Sequence, residues 1–200
     1  MMFWLREETK DNERRTPLTP ENAKKLIAQT GCTIHVGSSN ERIFRDQEYR
    51  SVGCKIVPPE SWRNAPEQDY ILGLKELPED NLPLPHNHIY FAHIFKGQEG
   101  AKGLFERFRS GGGKLFDLEF LMDENNRRVA AFGRWAGFVG AAMAVDRYYQ
   151  KHAGTKHALP FKYFENKDLL IEYIREKQQK QNKHPKSIII GAKGRCGSGA

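Results

Sequence analysis

Short apolar runs alternate with helix-forming segments through the first 122 residues of this chain. The apolar runs are rich in β-branched and aromatic residues, which is typical of buried strands. They lie at residues 2–5, 32–36, 54–57, 70–74, 89–95 and 114–122. Helices are predicted at residues 20–30, 46–52 and 98–109. Strands and helices that alternate at this spacing form βαβ units, so the sequence predicts an α/β fold with a mostly parallel sheet.

The helix predicted at residues 20–30 has the clearest signals at its ends. Thr19 is a favoured N-cap residue, and Pro20 suits the first helical position. Gly31 is the residue type that most often follows the end of a helix. Together they predict a complete helix between the first two strands.

Two neighbouring predicted strands, at residues 70–74 and 89–95, carry the first candidate functional residues. Lys75 follows one strand directly, and His93 lies inside the other. Burial lowers the pKa of an amine and imidazole titrates near neutral pH, so a lysine and a histidine facing one pocket form an acid/base pair. The alternative is that Lys75 begins a solvated turn and His93 is a hydrogen-bonded core residue. Spacing alone favours this second interpretation.

The polar loop after the first strand also carries candidate binding residues. Ligands of α/β sheets bind at the carboxyl ends of the strands, where this loop and Lys75 are both expected to lie. Arg14 or Arg15 could reach that crevice and bind a carboxylate in a bidentate manner. The alternative is a surface salt bridge with Glu7, Glu8 or Glu13, which would be weak.

Two acidic residues interrupt the apolar run at residues 114–122. Asp117 and Glu119 would share one face of a strand, together with Leu121. At least one carboxylate is therefore expected to be buried and to need a cationic partner. A structural ion pair and a role in tuning Lys75 or His93 are equally open.

The second half of the chain contains two further predicted helices, at residues 128–152 and 167–179, the latter capped by Asn166. Arg127 and Arg128 precede the first of them, where a helix dipole disfavours cations, so either anionic ligands or solvent must compensate. A strand at residues 187–190 then leads into glycines 191, 194 and 197. This spacing is a variant of the dinucleotide-binding turn, in which backbone N–H groups meet a pyrophosphate.

The net charge of +7 does not indicate nucleic-acid binding. Residues 1–150 carry 21 Lys and Arg against 21 Asp and Glu, whereas residues 151–200 carry 11 against 4. The excess lies in a segment that has no aromatic residue after Tyr173, unlike a surface on which aromatic and basic residues alternate to bind nucleic acid.

Cysteine usage and the N-terminus indicate the compartment. The three cysteines are odd in number and lack metal-ligand spacing, which predicts a reducing environment and no metal site. The first ten residues lack the apolar core of a signal peptide, and the apolar run at residues 135–145 is shorter than the ~20 residues that cross a bilayer. A cytoplasmic protein without membrane partners is expected.

Six segments together resemble the NAD-dependent, lysine-forming saccharopine dehydrogenases of the fungal lysine pathway. They are LREETKDNERRTPLTP, ILGLKE, HIYFAHIFKGQEG, DLEFL, RRVAAFGRWAGFVGAA and IIIGAKGRCGSGA. The R-x-x-L-T-P pattern is shared with alanine dehydrogenases and transhydrogenases, whereas RRVAAFG and GRCGSGA together are more specific. The resemblance spans nearly the whole chain.

This resemblance implies that saccharopine, NAD and water give lysine, 2-oxoglutarate and NADH, the last step of lysine biosynthesis by the aminoadipate pathway. It makes Lys75 the proton acceptor for the secondary amine and His93 the proton donor. The residues that it matches to substrate contacts are Arg15, Lys75, Gln98, Arg128 and Phe132. Those that it matches to the cofactor are Arg127, Gly194 and Arg195. It also matches Glu76 and Glu119 to acidic residues that tune the acid/base pair.

The resemblance also implies a domain division. Residues 1–126 would form the substrate-side α/β domain, residues 127–185 interdomain helices and a charged linker, and residues 186–200 the first strand and glycine turn of a truncated, NAD-binding Rossmann domain. The sequence is therefore expected to be the N-terminal part of a longer enzyme, inactive alone.

The expected protein is a cytoplasmic monomer whose only partners are small molecules, with a peroxisomal address at an absent C-terminus left open. Two other functions also remain open. One is an alanine dehydrogenase-like enzyme acting on a smaller amino acid, and the other is a non-catalytic α/β binding domain.

Overall fold

One parallel sheet organises the first part of the chain in the computed structural model, which describes residues 1–96, 100–131 and 133–200. Its strands are Met2–Leu5 (β1), Thr33–Gly37 (β2), Lys55–Val57 (β3), Tyr70–Leu72 (β4), Asn87–Tyr90 (β5) and Lys114–Asp117 (β6). The spatial order is β3-β2-β1-β4-β5-β6, and every neighbouring pair is parallel. The predicted α/β, Rossmann-like fold is confirmed.

The strand order reverses between β1 and β4. The chain builds β1, β2 and β3 outward in one direction, and then β4, β5 and β6 outward in the other. Leu5 and Leu72 are the last paired residues of the two central strands. The loops that leave these two strands diverge, and ligands of open α/β sheets bind in the resulting crevice.

The described residues form five α-helices: Pro20–Thr30 (α1), Asp46–Ser51 (α2), Ala101–Gly111 (α3), Arg134–His152 (α4) and Lys167–Gln181 (α5). Helix α1 has the predicted bounds, because both of its ends are determined locally. The Thr19 hydroxyl accepts the N–H of Asn22 at 3.2 Å, and Gly31 adopts a φ of 64° while its N–H donates to the carbonyl of Ile27. Asn166 caps α5 as predicted.

Two hydrophobic clusters pack against the sheet. One collects buried residues of β1, β2, α1 and α2, among them Leu5, Ala23, Ile34, Val36 and Tyr49. The other joins β4, β5 and α3 through Ile71, Tyr90 and Phe108, with Trp62 and Leu84 from the connecting segments. Both clusters belong to a compact unit of residues 1–130, and residues 131–200 form a second unit. The domain bounds predicted from the resemblance stay a prediction.

Strands β3 and β4 are shorter than predicted by one and two residues, and strands β5 and β6 end five residues before the predicted ends. Strand β5 ends at Tyr90, so His93 is not a strand residue, and its φ of 55° is left-handed. Strand β6 ends at Asp117, whose carboxylate accepts the N–H of Glu119 at 2.9 Å and starts a 3₁₀ turn at Leu118–Phe120. The prediction that Asp117, Glu119 and Leu121 share one strand face is therefore wrong.

Helix α4 begins at Arg134 and not at residue 128. The backbone before it folds into a reverse turn, in which Met122 and Arg128 form an antiparallel bridge and the Asp123 N–H donates to the carbonyl of Arg127. The backbone groups of Arg127 and Arg128 thus take part in this turn and not in a helix. No described helix combines the length and the apolar character that a bilayer span demands.

The predicted strand at residues 187–190 is wrong for the chain as described. This segment is irregular, and it runs into consecutive turns from Ile190 to Gly199. A buried parallel strand needs neighbours that take up its backbone hydrogen bonds, and the only sheet in the described part of the chain lies within residues 2–117. Ile188 and Ile190 are accordingly exposed.

Candidate active site

Lys75 lies at the reversal point of the sheet, three residues beyond the end of β4. Its N–H donates to the carboxylate of Glu8, and its carbonyl accepts from the guanidinium of Arg6. Both partners come from the segment directly after β1. The main chain at Lys75 is therefore fixed from the neighbouring strand.

Several charged side chains surround Lys75. Glu76 pairs with Lys10 at 3.3 Å, and Glu13 pairs with Arg15 at 2.5 Å. Burial would raise the pKa of Glu76, but its own N–H, Lys10 and the charge of Lys75 together lower that pKa. The hydrogen bond from Arg15 is the main cause that lowers the pKa of Glu13, and Lys75 adds a smaller effect. Both carboxylates thus lie close enough to the side chain of Lys75 to interact with it electrostatically.

His93 lies on the other side of β4, in the loop after β5. Its Nδ1 is 3.4 Å from Oε2 of Glu119, a close electrostatic contact without hydrogen-bond geometry. The imidazole stacks on Phe91 with ring centroids 6.3 Å apart and an interplanar angle of 24°. A left-handed backbone at His93 turns the chain out of the strand and presents the side chain beside Glu119.

Glu119 links His93 to Arg128. Its side chain is 9% exposed, and its Oε1 lies 2.8 Å from Nη1 of Arg128. The expectation that a buried carboxylate in this region needs a cationic partner is met by Arg128. One carboxylate therefore contacts both an imidazole that could transfer protons and a guanidinium that could bind an anion.

A cavity of about 290 Å³ opens beside His93. Glu76, Glu79, Asp80 and Arg107 also line it. Glu76, the residue after Lys75, therefore shares a cavity with His93, whereas Lys75 itself is not among the described lining residues. The convergence of Lys75 and His93 on one substrate stays a prediction.

Five other predicted site residues either lie outside the described residues or lie in turns. Gln98 and Phe132 lie outside the described residues. Arg127 lies in the reverse turn before α4. Within residues 131–200, Gly194 and Arg195 belong to the glycine-rich turns, and a Cβ atom added at Gly133 would overlap the Cβ of Arg195.

Sequence reasoning missed Arg6 and Glu8 as individual site residues. The sequence indicates Glu8 only as a possible salt-bridge partner for the loop arginines, and it indicates no role for Arg6. The available signal was their position, because two charged residues directly after a buried central strand lie where α/β sheets bind ligands.

Two curated proteins that are similar to this chain carry the same name. The saccharopine dehydrogenase (NAD+, L-lysine-forming) of Schizosaccharomyces pombe is 45% identical to this chain, over 99% of the chain and 55% of the relative. The protein of that name from Emericella nidulans is 48% identical, over 99% of the chain and 54% of the relative. The chain thus spans about half the length of these curated relatives.

A solved L-alanine dehydrogenase has the same fold, with a TM-score of 0.50 and 19% identity over 76% of this chain and 40% of its own. Residues 4–139 match the family described as "Alanine dehydrogenase/PNT, N-terminal domain". That match covers more than half of the 200 residues. The chain belongs to the alanine dehydrogenase/PNT N-terminal domain family.

Proposed function

We propose that these residues belong to an NAD-dependent saccharopine dehydrogenase, which cleaves saccharopine oxidatively to lysine and 2-oxoglutarate. The observation that supports this most strongly is the identity of 45% and 48% to two saccharopine dehydrogenases over 99% of the chain. The crevice between β1 and β4 supports it further, because it gathers an amine, carboxylates and guanidinium groups.

In the proposed reaction, Lys75 accepts a proton from the secondary amine of saccharopine and frees its lone pair. The C–H hydride then leaves the substrate, and NAD supplies the acceptor for it. Water adds to the resulting imine, and His93 moves the protons of the water and the carbinolamine as the C–N bond breaks. One hydride, one water and one released proton balance the products.

The remaining assigned residues bind and orient. Saccharopine carries three carboxylates, for which Arg15 and Arg128 are suitable bidentate partners. Glu119 holds His93 and Arg128 in a fixed relation. Gln98 and Phe132 are also assigned to the substrate.

Three residues are assigned to NAD: Arg127, Gly194 and Arg195. The chemistry of the glycine turn fits a pyrophosphate in part. Arg195 and Lys193 supply positive charge, and Gly197 packs so tightly on Gly191 that a side chain would not fit. The N–H of Gly194, however, donates to the carbonyl of Gly191 in this conformation.

We also propose that the enzyme is a monomer of the cytoplasm that serves lysine biosynthesis. All three cysteines are free, which supports a reducing compartment. Burial raises the pKa of Cys54 to about 11, so this thiol is protonated and unreactive at neutral pH.

The proposal is tested by replacing Lys75 in an enzyme of the relatives' full length. Lys75→Met is expected to lower the turnover of saccharopine and NAD by about 10²- to 10⁴-fold, since it removes the general base. Lys55→Met, at an exposed position of β3, is the matched control and should leave turnover unchanged. NADH formation measured by absorbance gives both values.

Other outcomes would contradict parts of the proposal. Normal turnover in Lys75→Met would refute Lys75 as the base. Activity with alanine but not with saccharopine would favour an alanine dehydrogenase-like enzyme. A folded protein that makes no NADH from any amino acid would favour a binding domain.

A further inference from the structure

The chain leaves the sheet after β4, and the N–H groups of Leu74 and Lys75 have no strand carbonyl within the described residues to which they donate. Gly73 is the last residue of this segment whose N–H donates to β5, to the carbonyl of Ile89 at 3.0 Å, although the carbonyl of Leu74 still accepts the N–H of Phe91 at 3.4 Å. The N–H groups of Leu74 and Lys75 then donate to the two carboxylate oxygens of Glu8, at 2.7 and 2.9 Å. The carboxylate of Glu8, which follows β1, therefore accepts hydrogen bonds that a neighbouring strand would otherwise accept.

Arg6 binds the carbonyl of the same residue, Lys75. Its guanidinium donates to the carbonyl of Lys75, donates to the carbonyl of Glu7 at 3.2 Å, and lies 3.5 Å from the carboxylate of Glu8. The side chains of Arg6 and Glu8 are 1% and 4% exposed. Hydrogen bonds to ionised groups are shorter and stronger than neutral ones, so this pair grips the main chain of Lys75 firmly.

Gly73 and Tyr90 lie close to the guanidinium of Arg6. A Cβ atom at Gly73 would overlap the guanidinium, so only glycine lets Arg6 cross the chain at this point. The aromatic ring of Tyr90 lies 5.6 Å from the guanidinium carbon. A buried ion pair costs desolvation energy and adds little net stability, which makes a role in fixing geometry the better account of it.

We propose that Arg6 and Glu8 form a clamp that positions Lys75 for proton transfer. This inference rests on the function proposed above. Glu13 and Glu76 interact electrostatically with the side chain of Lys75, whereas the clamp contacts its main chain. The clamp therefore fixes the direction of the Lys75 side chain. Its loss should change the geometry of proton transfer more than the affinity for substrate.

The test uses an enzyme of the relatives' full length with Arg6→Met or Glu8→Gln. Each variant is expected to lower kcat by about 10- to 100-fold, the cost of a misplacement near 1 Å, with little change in the KM of saccharopine. The pH profile of kcat/KM should also shift. Glu8→Asp keeps a carboxylate that can reach one of the two N–H groups, so it should recover part of kcat.

Arg42→Met is the matched control for a purely structural loss. Arg42 is also a buried arginine, 4% exposed, that donates twice to the carbonyl of Gly37 at 3.1 Å and pairs with Asp46 at 2.7 Å. It serves the loop after β2 and does not contact Lys75. This variant should lose stability but keep the wild-type kcat and pH profile.

A second measurement separates the clamp from the proposed function. Lys75 is acetylated with acetic anhydride at fixed pH, and its rate relative to exposed Lys55 is read by mass spectrometry. If the wild-type enzyme does not turn over saccharopine, the proposed function fails. The clamp still predicts that the acetylation rate of Lys75 relative to Lys55 changes in Glu8→Gln and stays the same in Arg42→Met. Where Arg6→Met does not fold, Glu8→Gln decides. A wild-type kcat, pH profile and acetylation ratio in folded Glu8→Gln would overturn the clamp.

Discussion

His88 is an imidazole enclosed by aromatic rings in strand β5. It is 0% exposed, the rings of Trp62 and Phe108 each lie 5.4 Å away, and neither nitrogen has a hydrogen-bond partner among the described residues. Burial is the main cause that lowers the pKa of His88 to about 3, and the neighbouring His86 and Arg6 add to it. The folded protein therefore contains neutral His88 over the whole physiological range.

The stability of the protein should depend on pH through His88. Because the folded-state pKa is depressed, this contribution is complete above the unfolded-state pKa near 6.5 and is lost as pH falls towards 3. The free energy of unfolding should fall by up to roughly 1.4 kcal/mol per pH unit in that window. Urea unfolding at several pH values measures the slope.

His88→Phe removes the titrating group, and its slope should be smaller than that of the wild type. His157→Gln, at an exposed position, is the control and should keep the wild-type slope. Equal slopes in the wild type and His88→Phe would mean that other groups carry the pH dependence.

Residue-level prediction succeeded where the argument was chemical and failed where it was spatial. That a carboxylate near Glu119 needs a cation follows from the cost of burying a charge, and Arg128 supplies it. The clamp on Lys75 could not be foreseen, because Glu8 and Lys75 are 67 positions apart. The left-handed backbone of His93 has no sequence signal either, since few residues other than glycine adopt it, although histidine is one of the types that do so more often.

Helix α1 offers a test at the scale of an element. Thr19→Ala removes the acceptor for the N–H of Asn22 and should lower the free energy of unfolding by about 1 kcal/mol. Thr19→Ser keeps the hydroxyl and is the matched control. Chemical denaturation of the three proteins compares them, and equal midpoints for Thr19→Ala and wild type would show that the cap does not stabilise the fold.

The ends of elements were predictable only where neighbours in sequence determine them. Helices α1 and α5 begin at the predicted caps, because cap and first turn are adjacent. Strand β5 stops at Tyr90 although the apolar run continues to residue 95, because its pairing with β4 ends at Ile89 and its pairing with β6 ends at Tyr90. The helix predicted from residue 128 starts later, because a turn takes up those backbone groups.

At the scale of the molecule, the alternation of strands and helices was sufficient to predict the parallel α/β sheet. What it could not supply is the strand order, which sets β1 beside β4 and so brings the segments after both together. The predicted strand at residues 187–190 failed for a related reason. An apolar run becomes a strand only where another strand accepts it.

The distribution of the core predicts which part of the chain folds alone. All six strands and both hydrophobic clusters lie within residues 1–130. In the described part of residues 131–200, Tyr149 and Leu170 are the only buried hydrophobic residues, and so small a core does not offset the entropy of ordering a chain of this length. A protein of residues 1–130 should therefore unfold cooperatively in urea and give dispersed amide resonances. Residues 131–200 alone should show neither property. A collapsed, non-cooperative 1–130 would mean that the sheet depends on residues outside it for its stability.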